Sequence, residues 1–286
     1  MRVLIFGATG MLGKALMRVW KDDEVVGLGS GDADIRVPEQ VEAQVQRVRP
    51  DWVVLSAAYT DVDGCELNPQ LASSVNTFGA VNVAKSSAAA RARLVFLSTD
   101  YVFDGTHGKP YEVNDERKPI NSYGESKAEA EKKIVEILPQ ACIVRTSWLF
   151  GAGGKCFPDT IVKLAATRQQ VEVVDDQRGC PTYTDDLAAA IVQLCHANAE
   201  GVIHATNSGD CTWYDFAREI LELAGFATKV LPTTSDKFIR AAARPRYSVL
   251  SAASLLAYGI SMRPWKKTLP YYLTERNRGT PNARSS

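Results

Sequence analysis

The sequence predicts an α/β protein with a Rossmann-type doubly wound parallel sheet and a smaller C-terminal lobe. Three observations lead to this prediction. Short apolar runs alternate with helical patterns along most of the 286 residues, a glycine-rich turn follows the first run, and the polar motifs follow apolar runs. Apolar strands joined by helices are typical of a parallel sheet covered on both faces. Ligands of such sheets bind beyond the carboxyl ends of the strands.

The elements follow from hydrophobic pattern and length. Strands are predicted at Arg2–Phe6, Glu24–Leu28, Trp52–Ser56, Leu94–Ser98, Cys142–Thr146, Val171–Val174 and Val202–Ala205. Helices are predicted at Met11–Lys21, Pro38–Val48, Pro69–Ala90, Tyr123–Leu138, Phe157–Thr167 and Thr184–His196.

The first turn has the glycine spacing of a dinucleotide site. Gly7, Gly10 and Gly13 lie between the first strand and the first helix, as G-x-x-G-x-x-G rather than G-x-G-x-x-G. In this context Gly7 permits a tight turn, Gly10 lets the backbone approach a pyrophosphate, and Gly13 lets the helix lie close to the strand. The alternative is a loop that merely turns the chain. The strand–turn–helix context favours a cofactor site at the helix N-terminus.

The chain is predicted to divide near residue 150. Residues 1–150 would form the dinucleotide-binding Rossmann domain, to which a segment near 182–206 returns. The loop-rich segments 151–181 and 207–273 would form the smaller lobe. The tail 274–286 is rich in Arg, Asn, Gly, Pro and Ser and is predicted to be disordered.

Composition excludes several classes of function. Lys plus Arg and Asp plus Glu both number 33, so the net charge of zero gives no support for a nucleic-acid or membrane-surface partner. The six cysteines form no C-x-x-C, which favours reduced thiols in the cytoplasm. No secretory leader is expected. The three histidines show no ligand spacing, so no metal centre is predicted.

Tyr123 and Lys127 are the most informative pair in the sequence. Residues four apart share one face of a helix, and a nearby ammonium favours a phenolate. Such a phenol is a general acid suited to a carbonyl oxygen. Taken alone, the pattern is more typical of a solvated surface pair. About two dozen residues earlier, Thr99 and Asp100 follow an apolar strand, where they could either cap a turn or meet the same substrate oxygen.

Several strings resemble the extended short-chain dehydrogenase/reductase superfamily and, within it, the dTDP-4-dehydrorhamnose reductases. The resemblance covers roughly residues 1–272. Its most specific marks are Ser98–Gly105 and the string Arg145-Thr146-Ser147-Trp148. Further marks are Gly7–Gly13, Asp34-Ile35, Ala57–Thr60, Val75-Asn76, Tyr123–Lys127 and 175–182.

The resemblance implies reduction of the C4 keto group of a dTDP-4-keto-6-deoxyhexose, in nucleotide-sugar and cell-surface polysaccharide biosynthesis. Tyr123 would protonate the keto oxygen, Thr99 would donate a hydrogen bond to it, and Lys127 would hold the nicotinamide ribose and lower the tyrosine pKa. The implied substrate contacts are Thr99, Asp100, Tyr123 and Trp148, although Trp148 is equally well explained as a core aromatic. Arg244 is a further hypothesis, as a contact of the diphosphate.

Neither an acid nor an arginine stands at the end of the second strand, so the sequence leaves the choice between NADPH and NADH open. The reductive reaction favours NADPH. Asn76 matches an asparagine that positions a water behind the lysine. The implied cofactor contacts are Gly7, Thr9, Gly10, Met11, Leu12, Gly13, Ser30, Asp34, Ile35, Ala57, Ala58, Tyr59, Asn76, Tyr123 and Lys127.

Two other readings stay open. A sugar-nucleotide 4,6-dehydratase or epimerase belongs to the same superfamily, but dehydratases place Asp-Glu after the threonine where this chain has Asp100-Tyr101. The regulatory β subunit of methionine adenosyltransferase is similar across the same motifs and is a binding partner rather than a catalyst. One departure concerns Cys156-Phe157, where family members often carry Asn-Phe. The oligomeric state is left open, with a homodimer as one alternative.

Overall fold

The computed structural model describes residues 1–279. Its strands are β1 (Arg2–Phe6), β2 (Glu24–Leu28), β3 (Trp52–Leu55), β4 (Arg93–Thr99), β5 (Cys142–Thr146), β6 (Leu149–Phe150), β7 (Gln170–Val174), β8 (Arg178–Gly179), β9 (Thr182–Tyr183), β10 (Gly201–His204), β11 (Cys211–Thr212) and β12 (Lys229–Thr233). Its α-helices are α1 (Met11–Val19), α2 (Pro38–Val48), α3 (Val62–Leu67), α4 (Pro69–Ala72), α5 (Ala80–Ala89), α6 (Ser122–Ile137), α7 (Phe157–Ala165), α8 (Thr184–His196), α9 (Trp213–Leu223), α10 (Ala253–Leu256) and α11 (Leu269–Gly279).

Six parallel strands form the central sheet, in the order β10-β5-β4-β3-β1-β2. Successive side chains of a strand point to opposite faces, so each strand supplies both cores. Val3 and Ile5 pack with α1 and α8, whereas Leu4 and Phe6 pack with α2, α5 and α6. The predicted doubly wound fold is confirmed. Its strand order reverses between β1 and β3, and a crevice for a ligand is expected at this point.

The smaller lobe has its own apolar core. Its two-stranded parallel sheet pairs β7 with β12, and α7, α9 and α11 pack around it. The predicted strand at Val171–Val174 therefore belongs to this lobe and not to the central sheet. The central aromatic is Phe150, whose ring contacts the rings of Tyr183, Phe216 and Tyr272 at centroid distances of 5.6, 5.4 and 5.6 Å.

Two predictions about elements were wrong. The helix expected over Pro69–Ala90 is divided into α4, a π-helical segment at Ser73–Gly79 and α5. The tail expected to be disordered from residue 274 continues α11 as far as Gly279, and residues 280–286 lie outside the described part. The end of this helix is held by tertiary contacts that composition does not reveal. Tyr272 donates to Asp159 (2.8 Å), and Tyr183 donates to Glu275 (3.1 Å).

Candidate active site

The glycine turn after β1 has the shape that the sequence predicted. Gly7 has φ +92°, and a Cβ atom there would lie 2.5 Å from the backbone nitrogen of Ala57. At Gly13 a Cβ would lie 2.1 Å from the carbonyl oxygen of Gly7. At Gly10 the nearest atom to a Cβ would be the same oxygen, at 3.3 Å. Gly7 and Gly13 are therefore required by packing, whereas the position of Gly10 is comparatively open.

The N-terminus of α1 presents backbone donors to this open position. Gly10 is the N-cap residue and no side chain caps the helix, so the first amides of α1 keep their hydrogen-bonding capacity for a ligand. The positive end of a helix favours phosphate. Met11 and Leu12 supply two of these amides, and Lys14 donates from Nζ to the carbonyl of Gly153 (2.8 Å), which fixes the loop 151–155 beside the turn. The donor set fits a dinucleotide pyrophosphate.

The ends of β2 and β3 border the same crevice. The Thr9 side chain fills the space where a Cβ of Gly29 would lie (2.7 Å), and Ser30 is exposed just after it. Asp34 is ion-paired with Arg36 (2.6 Å), which lowers the pKa of the Asp34 carboxyl. Ile35 is buried against Gly79.

The segment after β3 is fixed by an asparagine. Ala57 and Ala58 are half-buried, and the backbone amide of Tyr59 donates to Oδ1 of Asn76 (2.8 Å). Asn76 lies in the π-helical segment, and its Nδ2 donates to the carbonyl of Tyr59 (3.0 Å) and to Oγ of Ser126 (3.0 Å). Asn76 thus ties this segment to α6. Its predicted water-positioning role stays a prediction.

Thr99 closes β4, and Asp100 opens the turn that follows it. Thr99 donates from Oγ1 to Oδ1 of Asp100 (3.0 Å) and accepts from the amide of Tyr101 (3.2 Å). Oδ2 of Asp100 is buried and finds no hydrogen-bond partner among the described residues. Burial raises the pKa of this carboxyl to about 7. The threonine therefore caps the turn, as one alternative predicted, and also lies at the mouth of the sheet.

Helix α6 brings Tyr123 and Lys127 to this strand end. Asn121 caps the helix by accepting from the amide of Gly124 (2.8 Å), and a Cβ at Gly124 would lie 2.1 Å from the carbonyl oxygen of Tyr101. Only glycine lets the helix begin so close to the turn after β4. The rings of Tyr101 and Tyr123 meet edge to face with centroids 6.1 Å apart.

Burial is the largest influence on the protonation of both side chains. Burial, together with the Asp100 carboxylate, raises the pKa of Tyr123, while the Thr99 hydroxyl lowers it. Lys127 is 2% exposed, with Nζ 4.1 Å from the centroid of the Phe96 ring. Desolvation lowers the pKa of its ammonium to about 7, and the Glu131 carboxylate opposes this effect. The lowering of the Tyr123 pKa by Lys127 stays a prediction.

A cavity of about 800 Å³ adjoins Tyr101 on the side of the smaller lobe. This volume is typical of a pocket for a small organic ligand. Its walls combine aromatic and apolar side chains with two arginines, and they include Tyr101, Trp213, Phe238, Arg240 and Arg244. The sequence suggested Arg244, but Trp213 stands in no motif and was missed.

Trp148 is stacked and strained. Its ring lies on that of Trp213 with centroids 3.5 Å apart and planes 7° apart, and its backbone has φ +47°. A Cβ at Gly179 would lie 2.6 Å from the Trp148 ring. A β-branched or bulky residue with positive φ is uncommon outside functional sites. Trp213 lines the cavity and Trp148 supports it from behind, so direct sugar contact by Trp148 stays a prediction.

Asp63 and the arginines connect the two lobes over this cavity. Asp63 of α3 accepts from Arg244 (2.9 Å), from Arg240 (3.3 Å) and from the amide of Ala242 (3.1 Å). The side-chain amide of Asn121 donates to the carbonyl of Ala243 (2.9 Å).

Within the part of the chain that the structure describes, no His, Cys, Asp and Glu side chains cluster as metal ligands. No described helix is long and apolar enough to cross a membrane.

Comparison with known proteins adds a family to this geometry. The family model of the RmlD substrate binding domain matches residues 1–278. The chain belongs to this family. The spore coat polysaccharide biosynthesis protein SpsK of Bacillus subtilis is 41% identical over 278 residues, which covers 96% of this chain and 98% of that protein. A dTDP-4-keto-6-deoxy-D-glucose reductase of Streptomyces niveus is 41% identical over 94% of this chain and 95% of that one.

A solved structure of the same family has the same fold. The dTDP-4-dehydrorhamnose reductase of Bacillus anthracis, crystallised in complex with NADP, is 39% identical, covers 96% of this chain and 99% of its own, and has a TM-score of 0.93. The predicted resemblance to these reductases is confirmed. The roles assigned to individual residues of the site remain predictions.

Proposed function

We propose that this RmlD-family protein uses NADPH to reduce the C4 keto group of a dTDP-4-keto-6-deoxyhexose, converting dTDP-4-dehydro-L-rhamnose to dTDP-L-rhamnose. Such a product serves cell-surface polysaccharide synthesis. The observation that carries the proposal is the placement of a threonine, a half-buried phenol and a buried amine near the end of β4, next to the cavity. The relatives named above support the sugar and the reaction.

The cofactor would be held by the turn after β1. The amides of Met11 and Leu12 would bind its pyrophosphate, the space at Gly10 would admit it, and the end of β2 near Ser30 and Asp34 would receive its adenosine half. When bound, NADPH supplies a hydride. The described residues near Ser30 include Arg36, but Arg36 is engaged by Asp34, so a preference over NADH rests on the relative crystallised with NADP.

The chain's own residues would bind and protonate the keto oxygen. Tyr123 donates its proton to that oxygen, since its raised pKa keeps it protonated at neutral pH. The Thr99 hydroxyl donates a second hydrogen bond, which requires that it leave Asp100. The Lys127 amine lies one turn after Tyr123, and in its protonated form it favours negative charge at the phenol oxygen as the proton departs.

The cavity would take the nucleotide half of the substrate. Arg240 and Arg244 supply positive charge for a diphosphate, and the Trp213 ring supplies an apolar face for a base or sugar. The six cysteines are free and buried, which supports the cytoplasm as the compartment that we propose. A homodimer remains a prediction, which light scattering tests.

Two other functions have weaker support. A dehydratase needs a second acid or base beside the threonine–aspartate pair, but this position holds Tyr101, whose pKa is raised by burial. A phenol of raised pKa does not abstract a carbon-bound proton at neutral pH. A regulatory subunit similar to methionine adenosyltransferase β would not need turnover at all.

The test is a panel of nucleotide-linked ketosugars with purified protein, followed by nicotinamide absorbance and product analysis. We expect NADPH oxidation only with dTDP-4-keto-6-deoxyhexoses, and slower oxidation of NADH. Tightly retained NAD with redox-neutral turnover would transfer the assignment to an epimerase or dehydratase. Absence of turnover together with copurification of an adenosyltransferase from native lysate would indicate the regulatory role.

A further inference from the structure

A third ionisable side chain lies on the buried face of α6. Tyr123, Lys127 and Glu131 succeed one another at intervals of four residues, so they lie along one stripe of the helix. The first two belong to the proposed catalytic set. Glu131 is 1% exposed and lies one turn beyond Lys127, away from the cavity. A buried carboxylate in this place requires an explanation, because its desolvation is unfavourable unless partners compensate for it.

Glu131 has four charge-assisted or hydroxyl hydrogen bonds. Its Oε1 accepts from Oγ of Ser98 (2.5 Å) and from Nε of Arg145 (2.9 Å). Its Oε2 accepts from Nη2 of Arg145 (2.7 Å) and from Nη1 of Arg117 (3.1 Å). The pairing with Arg145 is bidentate, and such forks fix direction as well as distance. These arginines keep the pKa of the buried carboxyl below its usual value, in opposition to burial.

The partners occupy one particular position in the sheet. Ser98 of β4 lies directly opposite Arg145 of β5, and the next pair toward the carboxyl end is Thr99 opposite Thr146. Glu131 therefore binds both strands at the last step before Thr99. The carboxylate fixes the position of α6 along strands β4 and β5. This position determines where the phenol of Tyr123 lies relative to the Thr99 hydroxyl.

We propose that Glu131 is a positioning residue, which holds α6 against β4 and β5 so that Tyr123 and Lys127 face Thr99. The inference rests on the proposed reductase function. An ion pair that only stabilised the fold could lie anywhere in the core. This one lies one helical turn from the amine and one residue from the threonine.

The charge of Glu131 also acts on Lys127. Glu131 opposes the desolvation that lowers the pKa of the ammonium. The other charged groups against Glu131 are Arg145 from β5 and Arg117 from the segment before α6. His204 of β10 lies 3.3 Å from Nη1 of Arg145, and burial lowers the pKa of its ring to about 3, so it is neutral.

Two substitutions in the wild-type background test the role. Glu131→Gln preserves size and removes the charge, and Ser98→Ala removes only the hydroxyl that ties the carboxylate to β4. The matched control is Glu129→Gln, which lies on the same helix but pairs with Lys133 at the surface (3.1 Å). The measurements are kcat, KM for the ketosugar, NADPH Kd, melting temperature and the pH profile of kcat.

We expect kcat to fall about 10-fold or more in Glu131→Gln, and several-fold in Ser98→Ala, because a small displacement of a reacting group strongly lowers the reaction rate. NADPH Kd should change far less. The alkaline limb of kcat should move to lower pH in Glu131→Gln, since removal of the anion favours neutral Lys127. Glu129→Gln should match the wild type in every measurement.

Wild-type kcat and pH profile in the folded variants would overturn the positioning role, even if their melting temperatures fell. If Glu131→Gln does not fold, Ser98→Ala decides alone: an unchanged kcat overturns the inference and a reduced kcat with a near-wild-type melting temperature supports it. Absence of turnover by the wild-type protein on every ketosugar would instead refute the proposed function itself, and with it the inference.

Discussion

At the scale of single residues, the site combines two groups that burial pushes toward their neutral forms. Desolvation lowers the pKa of Lys127 to about 7, and burial raises the pKa of Tyr123. Burial of Lys127 disfavours its ammonium form and destabilises the folded protein at neutral pH, and burial of Tyr123 disfavours its phenolate form. Titratable groups that are perturbed together in a cleft are typical of active sites, where function outweighs stability.

Tyr123→Phe tests the proton donor. The substitution removes one hydroxyl and leaves the ring in its contact with Tyr101, so cofactor binding should stay nearly unchanged. We expect kcat to fall by about 10²-fold or more, the usual contribution of a positioned general acid. Tyr271→Phe, at a ring 59% exposed on α11, is the matched control. A phenylalanine variant with full rate would show that another group supplies the proton.

Lys127→Met tests the cost of the buried amine. Between about pH 7 and the ordinary lysine pKa of 10.5, the unfolded chain binds a proton that the folded chain does not. The wild type therefore becomes more stable as pH rises through this window. The variant lacks this penalty. Its free energy of unfolding at pH 7 should exceed that of the wild type by about 1–3 kcal/mol, and this difference should shrink toward pH 10.

The measurement is denaturant unfolding without cofactor at several pH values, with Lys132→Met as the control because that lysine is exposed on the same helix. A lysine variant that is less stable than the wild type at pH 7, or a gain that does not change with pH, would contradict a desolvated ammonium. Activity should be lost in Lys127→Met in either case.

At the scale of elements, the strands of the central sheet could be predicted because they are short apolar runs, and inner ones such as β3 and β5 are buried on both faces. The π-helical segment at Ser73–Gly79 could not, because an apolar pattern does not distinguish it from an α-helix. It is held by tertiary hydrogen bonds that Nδ2 of Asn76 donates to the carbonyl of Tyr59 and to Oγ of Ser126. The small strands of the second lobe were missed for a similar reason, since their partners lie far away in sequence. Helix α9 was missed although it has a local signal, the capping box that Thr212 forms with Asp215.

The candidate site divides in the same way. Spacing and family resemblance pointed to Thr99, Tyr123 and Lys127, because the reaction needs those residue types at that distance. Glu131 and Trp213 carry no local signal. Their environments are created by contacts with Arg145 and Trp148, respectively, and exist only in the folded chain.

The three glycines of the first turn allow packing and ligand access to be separated. A Cβ at Gly13 would lie 2.1 Å from the Gly7 carbonyl, so Gly13→Ala should lower the free energy of unfolding by about 2 kcal/mol or more through overpacking. At Gly10 the same atom lies 3.3 Å away, which a small shift accommodates. Gly10→Ala should therefore fold and melt within about 4 °C of the wild type.

Gly10→Ala should weaken NADPH binding rather than lower stability. In Gly10→Ala the added methyl group enters the space in front of the α1 amides, so NADPH Kd should rise by about 10-fold or more. Fluorescence titration measures this Kd, and denaturant unfolding measures stability. Gly31→Ala is the control for stability, because no atom of the described residues lies within 4 Å of its Cβ position. Normal NADPH affinity in Gly10→Ala would remove the case for a pyrophosphate site at this turn.

At the scale of the whole molecule, the Asp63 carboxylate joins the two lobes beside the cavity. Asp63 belongs to the Rossmann side, and its partners Arg240 and Arg244 line the cavity on the other side. These arginines and the backbone amide of Ala242, which donates to the Asp63 carboxylate, lower the pKa of Asp63 against the effect of burial. The contact sets where the two cations stand, so the shape of the nucleotide cavity depends on an interaction between lobes.

Asp63→Asn tests this dependence. The amide keeps the size of the side chain but loses its charge, so the segment 240–244 should be held less firmly and the arginines should meet a diphosphate in the wrong place. We expect KM for the nucleotide sugar to rise about 10-fold, equivalent to about 1.4 kcal/mol, with NADPH Kd unchanged. Glu219→Gln, which breaks the exposed pair with Lys266 (2.8 Å), is the control. A KM that falls instead would mean that Asp63 competes with the substrate for the arginines, and that the contact must open before the nucleotide can bind.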